Sequence, residues 1–220
     1  MNIAIISPHP DDETLGAGGT ILKWMDEGHK VYWINVTDMI NPKKFREESM
    51  RKRKVQIQNI EKFYSFEQTY HLGLPSTELE QIDSSDAIDL FAEIFNKIKP
   101  EMVILPDFND VHSDHKKVFD WCLACTKVFR FPYVKKIMTM EIVSETDFGR
   151  PETPYTPNYF VDITNYLEKK IEAMKLYDTE IAEPPFPRSE EHIRALATVR
   201  GATAGVRFAE SFRLIKWIEG

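Results

Sequence analysis

Two short stretches hold the residues most able to do chemistry. One is His9-Pro10-Asp11-Asp12-Glu13 and the other is Asp110-Val111-His112-Ser113-Asp114-His115. Three adjacent carboxylates repel one another and gain nothing from packing, so a cation is the natural reason for them. His9 and Asp12, three apart, can turn toward one point while Asp11 turns elsewhere. These histidines and carboxylates suit a metal with nitrogen and oxygen ligands. Three protein ligands and an open position would make zinc catalytic rather than structural, with bonds of about 2.0–2.2 Å. Such a zinc lowers the pKa of its bound water to about 7 and polarises a carbonyl. A nearby carboxylate can take the proton as the water attacks, and a second histidine can stabilise the oxyanion or protonate the leaving group.

These stretches need elements that bring them together. Met1–Ser7 reads as a buried strand and Leu15–Gly28 as a helix, with Gly28 placed to end it. Lys30–Val36 reads as a second strand, followed by a loop near Asn41-Pro42 and a basic helix over Lys44–Phe63. Then come a strand at Gln68–Leu72, a helix at Ser85–Ile98 capped by Ser84 or Ser85, and a strand at Met102–Leu105. Pro106–His115 reads as a loop, Lys116–Phe129 as a helix and Lys135–Glu141 as a strand. Arg150–Pro157 reads as a loop or lid, Tyr159–Ile163 as a strand, Asn165–Ile181 and Ser189–Ala204 as helices, and Glu210–Ile218 as a last strand or tail. Strands alternating with helices predict an α/β fold with a mostly parallel sheet covered on both faces. Both motifs then follow strands and open on the same edge, where ligands of open α/β sheets bind.

The combination Pro-His-Pro-Asp-Asp-Glu after strand one, with His-x-Asp-His after a later strand, resembles the PIG-L (LmbE-like) family of zinc-dependent N-deacetylases. That resemblance implies a Rossmann-like fold and removal of acetyl groups from amino sugars and related amides. It implies that His9, Asp12 and His115 ligate zinc, with another divalent ion such as Fe2+ as the alternative. It makes Asp11 the general base, His112 the group that stabilises the intermediate or acts as acid, and Asp114 the carboxylate paired with that histidine. Gly16-Ala17-Gly18-Gly19-Thr20-Ile21, Thr37-Asp38, Leu72-Gly73-Leu74-Pro75, Val161-Asp162-Ile163-Thr164 and Ala209-Glu210-Ser211-Phe212-Arg213 also look like family landmarks. Two positions depart from the pattern. The family's Arg-x-x-Glu reads Arg53-Lys54-Val55-Gln56 here, and the middle of His-x-Asp-His is Ser113 where Pro is frequent. Arg53 is the assigned substrate contact, with Arg51 its rival.

Composition bounds the rest. The chain has 220 residues, 28 Lys plus Arg against 35 Asp plus Glu, and a formal net charge of −7. That size suits a single domain over residues 1–220, and an acidic surface disfavours DNA and RNA. No run is apolar enough for a transmembrane segment, and the two cysteines build no disulfide framework. A cytoplasmic enzyme with a small amino-sugar substrate is expected, and a homo-oligomer stays open.

Each feature has a plainer reading. Gly16-x-Gly18-x-x-Ile21 lacks the third glycine of a dinucleotide fingerprint, so its glycines are read as packing devices. Cys122 and Cys125 are read as core residues of a helix. Asp110 and Asp38 are read as supporting or surface residues, and Lys43–Lys54 as a solvated face. Two functional rivals remain: an amidase for a non-sugar or larger N-acyl substrate, and a non-catalytic metal- or sugar-binding module.

Overall fold

The computed structural model describes residues 1–38 and 45–219. The predicted loop at Asn41-Pro42, and Lys43 and Lys44 at the start of the basic run, lie outside the described residues. Among the described residues, seven strands form one sheet in the order β3-β2-β1-β4-β5-β7-β6. They are β1 (Asn2–Ser7), β2 (Lys30–Asp38), β3 (Gln68–Pro75), β4 (Met102–Leu105), β5 (Lys136–Met140), β6 (Tyr159–Asp162) and β7 (Ala209–Trp217). The first five run parallel, and β7 pairs antiparallel with both β5 and β6. The final segment is therefore a strand, not a loose tail.

Among the described residues, six α-helices cover the sheet: α1 (Asp12–Asp26), α2 (Glu47–Tyr64), α3 (Ser84–Ile98), α4 (Ser113–Ala124), α5 (Leu167–Leu176) and α6 (Glu190–Ala204). Successive strand side chains point to opposite faces, and β1 shows this directly. Ile3 and Ile5 join Trp33, Ile60, Ile171 and Met174 on one face. Ala4 and Ile6 join Ile34, Phe91, Phe95 and Val118 on the other. Both faces of the sheet are buried, which is why β1 and β4 read as continuous apolar runs.

Several boundaries differ from expectation, among them the ends of α4 at Ala124 rather than Phe129 and of α5 at Leu176 rather than Ile181, and three have clear local reasons. α1 begins at Asp12, inside the first motif, and α4 begins at Ser113, inside the second. In α4 the His112 side chain accepts from the Asp114 amide at 3.1 Å, so the histidine itself caps the helix. α3 is capped by Asp83, whose carboxylate accepts from the Ser85 amide at 2.7 Å, and not by either serine. The glycines of α1 do act in packing. A Cβ on Gly16 would stand 2.7 Å from the Met140 sulfur, and one on Gly19 would stand 2.9 Å from Ile163 Cβ. Cys122 and Cys125 are free and buried.

Candidate metal and catalytic centre

The order β2-β1-β4 places the chain reversal between β1 and β4, and both motifs leave the sheet there. A crevice at the carboxyl ends of strands flanking such a switch point is the expected ligand site of an open α/β sheet. Each motif crosses from a strand into a helix N-terminus, so short backbone segments hold both sets of side chains.

Three donor atoms converge. His9 Nδ1 lies 3.2 Å from His115 Nε2, and Asp12 Oδ2 lies 3.3 Å from His115 Nε2 and 3.7 Å from His9 Nδ1. Bonds of about 2.0–2.2 Å at tetrahedral or octahedral angles set ligand atoms roughly 3.0–3.5 Å apart; the two separations from His115 Nε2 lie in that range and the third, 3.7 Å, is slightly wider. The opposite nitrogens are both engaged. His9 Nε2 meets Asp114 Oδ2 at 3.0 Å, and His115 Nδ1 meets Asp110 Oδ2 at 2.6 Å. A ring whose outer nitrogen donates to its carboxylate presents the inner nitrogen as a lone pair when the ring is neutral, and the Asp12 oxygen stands beside both inner nitrogens. Two such nitrogens 3.2 Å apart with a carboxylate oxygen beside them need a positive charge among them, either a proton on His115 or a cation held by all three. The donor set therefore fits a divalent metal.

The charges agree. Burial alone would raise Asp12, but His115 and His9 pull it down to about 2. Burial pushes Asp110 up to about 6 against the pull of His115. His115 is raised by Asp12 and Asp110 despite its burial, as a group surrounded by carboxylates must be. A cation would supply the positive charge that these buried carboxylates otherwise draw from protons.

Asp11 and His112 flank the donor set and line one cavity of about 260 Å³ with His9, Asp12, Glu145 and Arg188. Asp11 is buried, and burial, with Asp12 beside it, raises its pKa well above the ordinary carboxylate range, with Arg188 and Arg53 opposing. Its backbone has φ 134°, a conformation rare for a side-chain-bearing residue. Glu13 steadies this turn, because its Oε2 accepts from the Asp11 amide at 3.2 Å. Glu13 is itself fully buried, bound by Thr14 and Tyr177, and pushed by burial up to about 7. His112 is pulled down to about 4 by burial and by its two histidine neighbours, and its Nδ1 is an acceptor. It is thus neutral near pH 7, with its hydrogen on Nε2.

The six motif residues His9, Asp11, Asp12, His112, Asp114 and His115 therefore meet at one place. Two partnerships differ from those the resemblance implied. The Asp114 carboxylate turns to His9 Nε2 and to the Thr77 amide at 2.7 Å, while its oxygen stands 3.9 Å from His112 Nδ1. Arg53 does not line this cavity. It is buried, donates to the Pro10 carbonyl at 3.0 Å and pairs with Glu180. Arg51 is 77% exposed and pairs with Glu47 one turn away. Gln56, where the family pattern has Glu, donates to Asp178 at 2.7 Å, a contact a carboxylate could not make. Sequence reasoning missed Arg188 and Glu180, and it read Asp110 as a supporting or surface residue without naming His115 as its partner. The position of Asp110, five residues before His115, was the available signal. Arg188 sits alone in a Pro-rich loop, where nothing marks it.

A doubly wound α/β fold with a His-Asp-His donor set, a buried carboxylate and a neutral histidine on one cavity defines a class: hydrolytic enzymes built around a metal-type centre. The family model described as PIG-L, GlcNAc-PI de-N-acetylase, matches residues 4–126. The chain belongs to this family. It is 25% identical to a diacetylchitobiose deacetylase of Thermococcus kodakarensis, over 98% of this chain and 84% of that relative. The structure of N,N′-diacetylchitobiose deacetylase from Pyrococcus horikoshii is 26% identical, with a TM-score of 0.78, covering 98% of this chain and 84% of that one. A 4-carboxy-2-hydroxymuconate hydratase from Pseudomonas putida superposes with a TM-score of 0.76 at 15% identity, covering 100% and 98% of the two chains, and speaks to the fold alone. Family and deacetylase relatives together make this chain a hydrolytic N-deacetylase.

Proposed function

We propose that the chain is a zinc-dependent deacetylase of an N-acetylated amino sugar or sugar conjugate of the N-acetylglucosamine type. The observation that carries this reading is the convergence of His9 Nδ1, Asp12 Oδ2 and His115 Nε2 beside Asp11 and His112. Those three atoms would hold the ion, with Asp114 and Asp110 fixing the two imidazoles. When bound, the ion supplies Lewis-acid polarisation of the acyl oxygen and acidifies water.

The chain's own groups do the rest. Asp11, whose burial raises its proton affinity, takes a proton from water as the water oxygen bonds to the acyl carbon. The Nε2–H of neutral His112 donates to the acyl oxygen as negative charge develops there. The proton held on Asp11 then passes to the departing nitrogen, the C–N bond breaks, and acetic acid and an amine form; the acid's remaining proton passes to the amine, so acetate and an ammonium leave. Water and amide are consumed in equal number, so the step balances.

The sugar class is supported by the diacetylchitobiose deacetylases and by the cavity. About 260 Å³ falls just below the ~300 Å³ that begins the range for drug-sized ligands, which suits one sugar ring with its acetamide. Two free, buried cysteines fit a reducing cytoplasm, and no described helix is long and apolar enough to cross a membrane. The test is amine release by zinc-loaded protein from N-acetylglucosamine, N,N′-diacetylchitobiose and a series of longer N-acyl amides. Faster turnover of the acetylated sugars supports the proposal. Faster turnover of longer acyl chains would favour the broader amidase, and zinc binding without hydrolysis of any member would favour a binding module.

A further inference from the structure

Asp11 takes its direction from groups that neither motif contains. Its backbone, at φ 134°, is held by Glu13 through the amide, while the partner of its carboxylate comes from outside both motifs. A ring of contacts closes around it. Arg53 Nη1 donates to the Pro10 carbonyl at 3.0 Å, and its other terminal nitrogen pairs with Glu180 Oε1. Glu180 Oε2 stands 3.3 Å from Arg188 Nη1, and Arg188 Nη1 stands 2.9 Å from Asp11 Oδ2. The ring starts at Pro10 and returns at the next residue. It joins the first turn, α2 and the segment between α5 and α6.

Arg188 is the member that touches Asp11 itself. Its side chain is 22% exposed and that of Asp11 is 6% exposed, so water screens the pair weakly. The contact engages Oδ2, and both residues line the cavity. Arg188 lies outside the residues 4–126 that the family model matches, and in no motif.

We propose that Arg188 is a positioning residue for the deacetylation: it pins one carboxylate oxygen of Asp11 so that the other faces the attacking water, while Glu180 and Arg53 hold Arg188 in place. This rests on the reading of Asp11 as the base. Geometry alone makes the effect large, because displacing a reacting group by about 1 Å can cost ~10²-fold in rate. A mere staple of the 183–188 segment would lower stability and leave turnover per folded molecule intact.

The test uses zinc-loaded Arg188→Gln, Arg188→Lys and Arg188→Ala with Asp11→Asn beside them, and N,N′-diacetylchitobiose as substrate. Arg188→Gln should lose ~10²-fold in kcat with KM and zinc content near wild type, and Arg188→Lys should recover part of it. Millimolar guanidinium should raise the rate of Arg188→Ala and leave Asp11→Asn unchanged. Urea unfolding of Asp11→Ala, Arg188→Ala and the double variant supplies a readout that needs no substrate, and the two losses should be non-additive. Wild-type kcat in Arg188→Gln beside an inactive Asp11→Asn would overturn the positioning role and leave Asp11 as the base. An active Asp11→Asn would overturn both, and additive unfolding losses would overturn the pairing itself.

Discussion

At the residue scale, the site is governed by where the second nitrogen of each histidine goes. Asp114 orients His9 and Asp110 orients His115, so both inner nitrogens are aimed before any ion arrives. Removing either carboxylate leaves the imidazole but loosens its aim. Asp110→Asn should weaken zinc affinity by ~10–100-fold, measured by competition with a chelating dye, and retain the fold by circular dichroism. His112→Gln should behave in the opposite way: zinc content unchanged and kcat lowered by ~10²–10³-fold, the usual cost of one oxyanion donor. Much of this was legible in the sequence, because His9, Asp12 and His115 have side chains whose chemistry requires a partner. The partners were less so. A carboxylate such as Asp110 looks the same on a surface as behind an imidazole, and only its full burial separates the two cases. Arg188 was not legible at all, since its contact with Asp11 spans 177 residues.

At the scale of elements, α1 carries the first motif and is held by contacts distant in sequence. The Glu210 carboxylate accepts from the Gly19 and Thr20 amides at 3.0 and 2.7 Å, and Lys170 donates to Glu210 and to the Leu15 carbonyl, both at 2.7 Å. The glycines leave the helix backbone bare enough for this buried pair to reach it. Glu210→Gln would leave the Lys170 ammonium buried without its counter-charge, at a cost of roughly 3–5 kcal/mol. Gly19→Ala would press a methyl group to within 2.9 Å of Ile163 Cβ, costing about 1–3 kcal/mol. Thermal or urea melts of both variants check these figures. Helix existence was readable from apolar spacing, as in α3 with Phe91 and Phe95. The starts of α1 and α4 were not, because polar motif residues carry no apolar period. A capping histidine is also an unusual start signal, and in α4 it moved the boundary from Lys116 back to Ser113.

At the scale of the whole molecule, the parallel core β3-β2-β1-β4-β5 was predictable from alternating strands and helices, and it fixes where the crevice opens. The antiparallel edge, β7 between β5 and β6, was harder to read, because a last segment of mixed polarity could pair or trail. A metal held as proposed would bridge the loops after β1 and β4 and tie residues about a hundred positions apart. Ligand bound only by the native state stabilises it by about 2.7 kcal/mol at a hundredfold excess over Kd. For a chain of this size that is a Tm rise of roughly 5–10 °C. Chelator treatment should lower Tm by that amount and zinc should restore it, followed by calorimetry. The central claim is that Asp11 activates water beside a metal it does not hold. Acetate release from N,N′-diacetylchitobiose, measured together with zinc content for wild type and Asp11→Asn, tests it most directly. The expected result is a loss of ~10²–10⁴-fold in kcat with zinc near one per chain in both proteins, whereas undiminished turnover in Asp11→Asn would contradict it.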